Sequence, residues 1–232
     1  MAHSYTISLA LFIPQRHPAK KEDLHKAIPK VFPIIMATTL PSPPDQQELI
    51  TAVDLPENVL PFSVAHVKKA FSDAQNGNVD SPDLLFFSNF NLSELKAVER
   101  LRLPVRIHAE PGLLILKMIT KMHEAMHGSI MAYVVAGLNT MGLVAAVDYE
   151  VFGTARYAHR LNPQSLKEAD SALGPAVVDG WPGTVIEAGW SEGLGNLRRD
   201  AHWWLSAQLP PNNPRLVVLI SFIKKLTLNN RS

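Results

Sequence analysis

From Gly128 to Val147 the chain reads GSIMAYVVAGLNTMGLVAAV, without one charged side chain. A run of that length either crosses a bilayer or has to be folded into a protein interior. Asn139 lies near its middle, flanked by Gly137 and Gly142, so GLNTMG reads as a helix stop followed by a new element. The run is therefore expected to be a buried helix, from about Lys121 to Leu138, and then a strand. A secretion signal is not expected either. The apolar ISLALFI near the start has no basic segment before it, and PQRHPAKK follows in place of a small-residue cleavage site. The reading is a soluble chain of the cytoplasm or nucleus with no membrane partner.

With 232 residues, 47% of them hydrophobic, the chain can bury one good-sized core. It has no cysteine, which excludes disulfides, thiol catalysis and Cys-ligated zinc and suits a reducing compartment. Lys plus Arg number 22 against 21 Asp plus Glu, so no global basic field favours nucleic acid. Binding of nucleic acid would need a local groove.

Half of the 18 prolines fall in the first 61 residues. Residues 1–83 are accordingly expected to form a loosely ordered, poorly packed extension with short helical pieces at QQELITAV and SVAHVKKAFSDAQ. Residues 84–232 form the domain. There LSELKAVERL reads as a helix with Ser93 as N-cap, and VRIH and LLILKM, joined across AEPG, as a β-hairpin. After the helix at Lys121 come strands at LVAAVDYEV, ARYAHR, KEADSA and GTVIEAG, a helix from Glu192 to Gln208, and a strand at RLVVLISFI. The second helix carries its apolar stripe on Leu194, Leu197, Ala201, Trp204 and Leu205, with Trp203 turned away. The fold class is α/β, a mixed central sheet flanked by helices.

Inside the first helix, KMHEAMHG contains His-Glu-x-x-His. On a helix His123 and His127 lie one turn apart and could grip one zinc ion, with Glu124 beside them to activate a bound water. Lys121 and Ser129 depart from the metallopeptidase pattern, which wants uncharged and apolar residues there. A third ligand would have to come from Glu150, His159 or Glu168, all in expected strands. The competing reading has the histidines hydrogen-bonded at the edge of a buried stripe, and zinc is not the expected cofactor.

A second set of acids carries a different chemistry. Glu187 interrupts the apolar strand GTVIEAG, where an unpaired carboxylate costs several kcal/mol, on the order of other buried charges. Asp170 lies in KEADSA, with Glu168 on the same face by the period of two. Two carboxylates on neighbouring strands make a hard-oxygen site suited to magnesium or manganese, which can orient a water towards a phosphodiester. The alternative is a strand end with Glu187 paired to Arg198, Arg199 or His202 on the next helix.

The run KEADSALGP, then WPGTVIEAGWSEGLGNLRRDAHWWL, then RLVVLISF resembles a large group of fungal proteins. That group is similar to the PD-(D/E)XK restriction-endonuclease-like fold, close to bacterial restriction-endonuclease-like proteins. The likeness covers roughly residues 103–222 and includes the LLILKM strand and the His-Glu helix. It implies metal-dependent phosphodiester hydrolysis, with Asp170 as the first motif acid, Glu187 as the second, and His123, Glu124 or His127 lending a polar group to the metal site. The motif's lysine, two positions after the second acid, is Gly189 here. In related branches that role has moved to the next helix, where Arg198 and Arg199 stand. An arginine stays protonated and can stabilise charge but hardly acts as a base. Gly189 thus opens the alternative of a catalytically silent binding or structural module, and the resemblance implies a shortened C-terminus.

Overall fold

In the computed structural model, residues 3–12, 59–76, 83–176, 180–189, 194–208 and 214–226 are described. The hairpin is where alternation puts it, with strands at Val105–Glu110 (β4) and Gly112–Met118 (β5). Before them come β1 (His3–Phe12), β2 (Leu60–Pro61), α1 (Val64–Asn76), β3 (Leu84–Phe90) and the short α2 (Leu95–Glu99). After them come α3 (Lys121–Thr140), β6 (Tyr149–Val151), β7 (Arg156–His159), β8 (Asn162–Glu168) and β9 (Ser171–Pro175). The last elements are β10 (Thr184–Gly189), α4 (Leu194–Ser206) and β11 (Leu216–Leu226). The fold is mixed α/β, as expected, but with two sheets in place of one. One has the order β2-β3-β5-β4-β8-β7 and the other β1-β11-β10-β9-β6. The chain visits the second sheet at β6, returns to the first for β7 and β8, and crosses again at Ala169–Asp170, between β8 and β9.

The six-stranded sheet is two-faced. Ile107 pairs with Leu116 and Ala109 with Leu114, and β3 sets Leu85 and Phe87 beside the same leucines. Together with Val67 and Phe71 of α1 and Val98 of α2, this face forms a purely apolar core. The alternate residues form the other face, because side chains reverse at every step along a strand. There Leu84, Lys117 and Arg106 make one cross-strand row, and Phe86, Ile115, His108, Lys167 and Tyr157 the next. This polar face is buried too, because α4 lies against it. Trp203 packs on His108, their ring centroids 6.0 Å apart, and donates Nε1–H to Ser165 Oγ at 2.7 Å. Leu197, Ala201 and Trp204 of the same helix cover Val185, Val217 and Leu219 of the second sheet. On that sheet's opposite face α3 packs Met126 and Met131 against Ile186, Val218 and Ile220.

Several expectations shift. Val67 and Phe71 are buried in the first core, so the packed body reaches back to residue 59 and a boundary at Leu84 falls inside it. β1 runs antiparallel along β11, so residues 3–12 add a strand to the second sheet. The rest of the first 58 residues, and the chain end after Leu226, lie outside the described residues. Asn91, not Ser93, is the cap before α2: its side chain accepts from Ser93 N while Glu94 accepts from Asn91 N, in a capping box. The uncharged run is only partly buried. α3 buries four side chains, His123, Met126, His127 and Met131, and packs Ile130, Val135 and Leu138 partly buried beside them, while Tyr133 is 69% exposed and Val147, beyond its end, 72%. Most of LVAAVDYEV is a turn closed by Asp148, which accepts from Val144 N at 2.7 Å, and only Tyr149–Val151 is strand. Among the described residues no helix is long and apolar enough to cross a membrane. Trp203 is as buried as its neighbour because α4 is covered by a sheet on two sides, which one apolar stripe does not reveal.

Candidate functional site

Asp170 and Glu187, seventeen positions apart in sequence, meet across the junction of the two sheets. β9 and β10 run antiparallel, with Ser171 opposite Ile186, which sets the residue before one beside the residue after the other. Asp170 Oδ2 accepts the Ala188 N–H at 2.8 Å. Both residues are essentially shut off from solvent, at 1% and 0%. A carboxylate in that position requires partners. Lys117 supplies the first, with Nζ 2.8 Å from Asp170 Oδ2 and 3.4 Å from Glu187 Oε2. Trp204 donates its indole N–H to Glu187 Oε1 at 2.6 Å. Lys167 lies 3.6 Å from that same oxygen and 3.0 Å from Asp200 Oδ1. Three buried acids are thus laced together by two buried ammonium groups.

Electrostatics divide the pair of acids. Burial pushes the Glu187 carboxyl up to about 7, and the Asp170 charge adds to the rise against the pull of the two lysines. Burial acts the same way on Asp170, but Lys117, His123 and the Ala188 N–H outweigh it and hold that carboxyl well below the usual range. Asp200 is lowered as well: burial would raise it, and Lys167, Lys117 and His108 overcome that. Two neighbouring carboxyls with affinities for a proton driven apart are the pattern by which acid and base roles become separated.

A narrow cleft opens beside this network, lined among others by Arg106, His108, Lys117, Lys167, Arg199 and Asp200. Four cations and two acids, Asp200 and Glu168, line it, and Arg106, Lys117 and Lys167 are each ion-paired with a carboxylate.

The expected site residues separate. Asp170 and Glu187 come together. Arg199 borders the cleft with its guanidinium 5.8 Å above the Phe86 ring, whereas Arg198 is exposed on the other side of α4. Glu187 pairs with none of Arg198, Arg199 or His202; its partner on that helix is Trp204. Glu168 points away from Asp170. It accepts from Ile107 N at 2.9 Å and from Arg156 Nη2 at 2.6 Å. The bend between the sheets resets the alternation, so the period of two does not carry from 168 to 170.

His123, Glu124 and His127 stand at the start of α3, where Thr120 caps the helix by accepting from His123 N at 3.1 Å. His123 Nε2 lies 3.0 Å from Asp170 Oδ2, without hydrogen-bond alignment, and His127 Nδ1 lies 2.8 Å from Ser171 Oγ. Glu124 accepts from Arg106 Nη2 at 2.9 Å. Glu150, His159 and Glu168 do not join this group among the described residues.

Lys117, Lys167 and Asp200 are absent from the sequence expectation. The signal that exposed Glu187, a charge interrupting an apolar strand, is present in LLILKM too. At the next-to-last strand position it reads as a solvated end. No protein-family model, no curated protein and no solved structure matches this chain.

Proposed function

We propose that the junction of the two sheets is a metal-dependent phosphodiester-hydrolysing site of the PD-(D/E)XK kind. The observation that carries the proposal is Lys117, whose ammonium lies within reach of both Asp170 and Glu187. It brings to the acid pair the positive charge that Gly189 lacks, from another strand. Magnesium or manganese fits the donor set: two carboxylates, of which Asp170 Oδ1 is buried without a hydrogen bond. When bound, such an ion supplies Lewis acidity and lowers the pKa of a coordinated water. The chain's own residues do the rest. Arg106, Lys167 and Arg199 draw a phosphate into the cleft and offset its charge as it develops. Lys117 holds the two acids in register and stabilises negative charge beside them.

Manganese titration followed by calorimetry, with cleavage of single- and double-stranded DNA and RNA, tests the proposal. Binding and cleavage are expected in the parent chain, and both are expected to vanish in Asp170→Asn and Glu187→Gln. A second reading, a catalytically silent binding module, has its own support. Both acids are already ion-paired and closed to solvent, as in a structural network. It predicts neither binding nor cleavage.

A further inference from the structure

The His-Glu helix contains an arrangement that the phosphodiester reading does not use. Glu124 Oε1 lies 3.6 Å from His123 Nδ1 and 3.2 Å from His127 Nε2. A divalent ion bound at the usual ~2.0–2.1 Å to nitrogen and oxygen, with tetrahedral angles, sets its ligand atoms about 3.3 Å apart. The two observed separations straddle that edge length, and one ligand atom from each of the three residues falls within 4.8 Å of the others. His123 and His127 are buried, with side chains 3% and 6% exposed, yet His123 Nδ1 and His127 Nε2 have no hydrogen-bond partner. Buried ring nitrogens without partners are costly, and here they face a carboxylate oxygen.

We infer that His123 Nδ1, Glu124 Oε1 and His127 Nε2 form a three-ligand site for a borderline divalent ion of the first transition row, of which zinc is the type. Two imidazoles and one carboxylate select zinc, cobalt or nickel over magnesium. This site does not depend on the phosphodiester proposal. It also differs from the peptidase arrangement, because Glu124 is a ligand and not the base.

The surroundings of the three ligands suit the role. Ser171 Oγ engages His127 at Nδ1 and so orients the ring with Nε2 towards the site. Arg106 donates to Glu124 Oε1 at 2.9 Å and so fixes that carboxylate beside the two rings, while Asp170, 3.9 Å from Arg106 at Oδ1, is paired with Lys117. Glu124 itself is 42% exposed, which leaves a side open to entering ion and to an exchangeable ligand.

Cobalt(II) is the probe, titrated into the full chain, with zinc as competitor and magnesium as a further competitor. The expected result is one cobalt per chain, with the strong visible absorption of four-coordinate nitrogen-oxygen ligation, displaced by zinc and not by magnesium. His127→Ala and His123→Ala should abolish it, with folding checked by circular dichroism. Ser171→Ala keeps all three ligands and is expected to weaken binding about tenfold, as loss of an orienting partner does. Glu187→Gln should retain the cobalt spectrum, which separates this site from the Asp170–Glu187 pair. The inference is overturned if no cobalt is retained at micromolar concentration, if magnesium displaces it, or if the histidine variants bind it unchanged. It is overturned equally if Glu187→Gln removes it, since the ion would then belong to the acid pair.

Discussion

The two faces of the six-stranded sheet are built from alternate residues of the same strands, and both are buried. On one, Leu114 and Leu116 meet Val67, Phe71 and Phe87, and no charge is enclosed. On the other, Lys117 and Lys167 are driven into acids from β10, α4 and the bend between the sheets. The first face is held by transfer of apolar area and by close packing, forces that depend little on pH or on the identity of one neighbour. The second is held by compensation, where each ion is tolerable only because a partner is fixed within 4 Å. A fold that needed only stability would repeat the first arrangement. Enclosing this much charge makes the second face depend on every member of the network being in place.

That contrast predicts how each face fails. Lys117→Met removes one cation and leaves Asp170 and Glu187 facing each other in a closed space. At pH 8 it should destabilise the protein by about 3–5 kcal/mol, as breaking a buried pair does. Urea unfolding measures it, and a loss below about 1 kcal/mol would mean that the two acids have other compensation.

Leu116→Ala, on the adjacent residue and the opposite face, should cost about 2–4 kcal/mol through the cavity it leaves. Its cost should be the same at pH 5 and pH 8. The cost of Lys117→Met should shrink at pH 5, because Glu187 takes up a proton and one of the unpaired charges disappears. Parallel pH dependence in the two variants would erase the distinction between the faces.

The apolar face is legible in the sequence because VRIHAE alternates, whereas LLILKM is apolar almost throughout and takes its two rows from pairing with that strand. The hairpin and β10 are legible as short apolar runs, and α3 and α4 as apolar residues at three- and four-residue steps. The polar row was visible as well, but alternation cannot say whether a second layer covers it. Arg106 and His108 therefore look like solvent-facing residues until α4 is set against them. Glu187 was found because it stands inside an apolar strand. Lys117 gives no such signal because it stands one residue from a strand end, and Asp200 gives none because a polar residue on a helix looks like its exposed side. The break at Asp170 was hidden for a different reason. Nothing local in KEADSA signals that the chain leaves one sheet for another, so Glu168 was assigned to a face it does not share.

Titration sharpens the comparison further. Glu187 ionises near 4.5 when unfolded and at about 7 in the folded chain. Between those values the native state holds a proton that the unfolded state has released, so stability falls as pH rises through that window. Glu187→Gln cannot titrate. Relative to that variant, the parent chain should lose on the order of 2 kcal/mol between pH 4.5 and pH 7, while His108, His127 and His159, lowered by burial, titrate in both proteins and cancel in the difference. The depressed Asp170 acts in the opposite sense, its contribution being lost as pH falls below the ordinary carboxylate range, and it does so in both proteins. It therefore drops out of the difference. Identical pH profiles would place the Glu187 proton elsewhere in the network.

The smallest effect comes from two adjacent arginines that the sequence treats alike. Arg199 is half-buried, borders the cleft and lies 5.8 Å over the Phe86 ring. A guanidinium at that distance contributes about 0.5–1 kcal/mol through the ring quadrupole, and the aliphatic stem adds packing. Arg198 precedes it by one helical step, about a hundred degrees around α4, and points into solvent. Arg199→Ala should lower stability by about 1 kcal/mol and weaken retention of a phosphate-bearing ligand in the cleft. Arg198→Ala should stay within about 0.5 kcal/mol and leave retention unchanged. Thermal unfolding and phosphate-dependent shifts in melting temperature, measured side by side, read both quantities. If Arg198→Ala proves the more damaging, the face of α4 that meets the polar rows has been misassigned, and with it the enclosure that sets the two faces of the sheet apart.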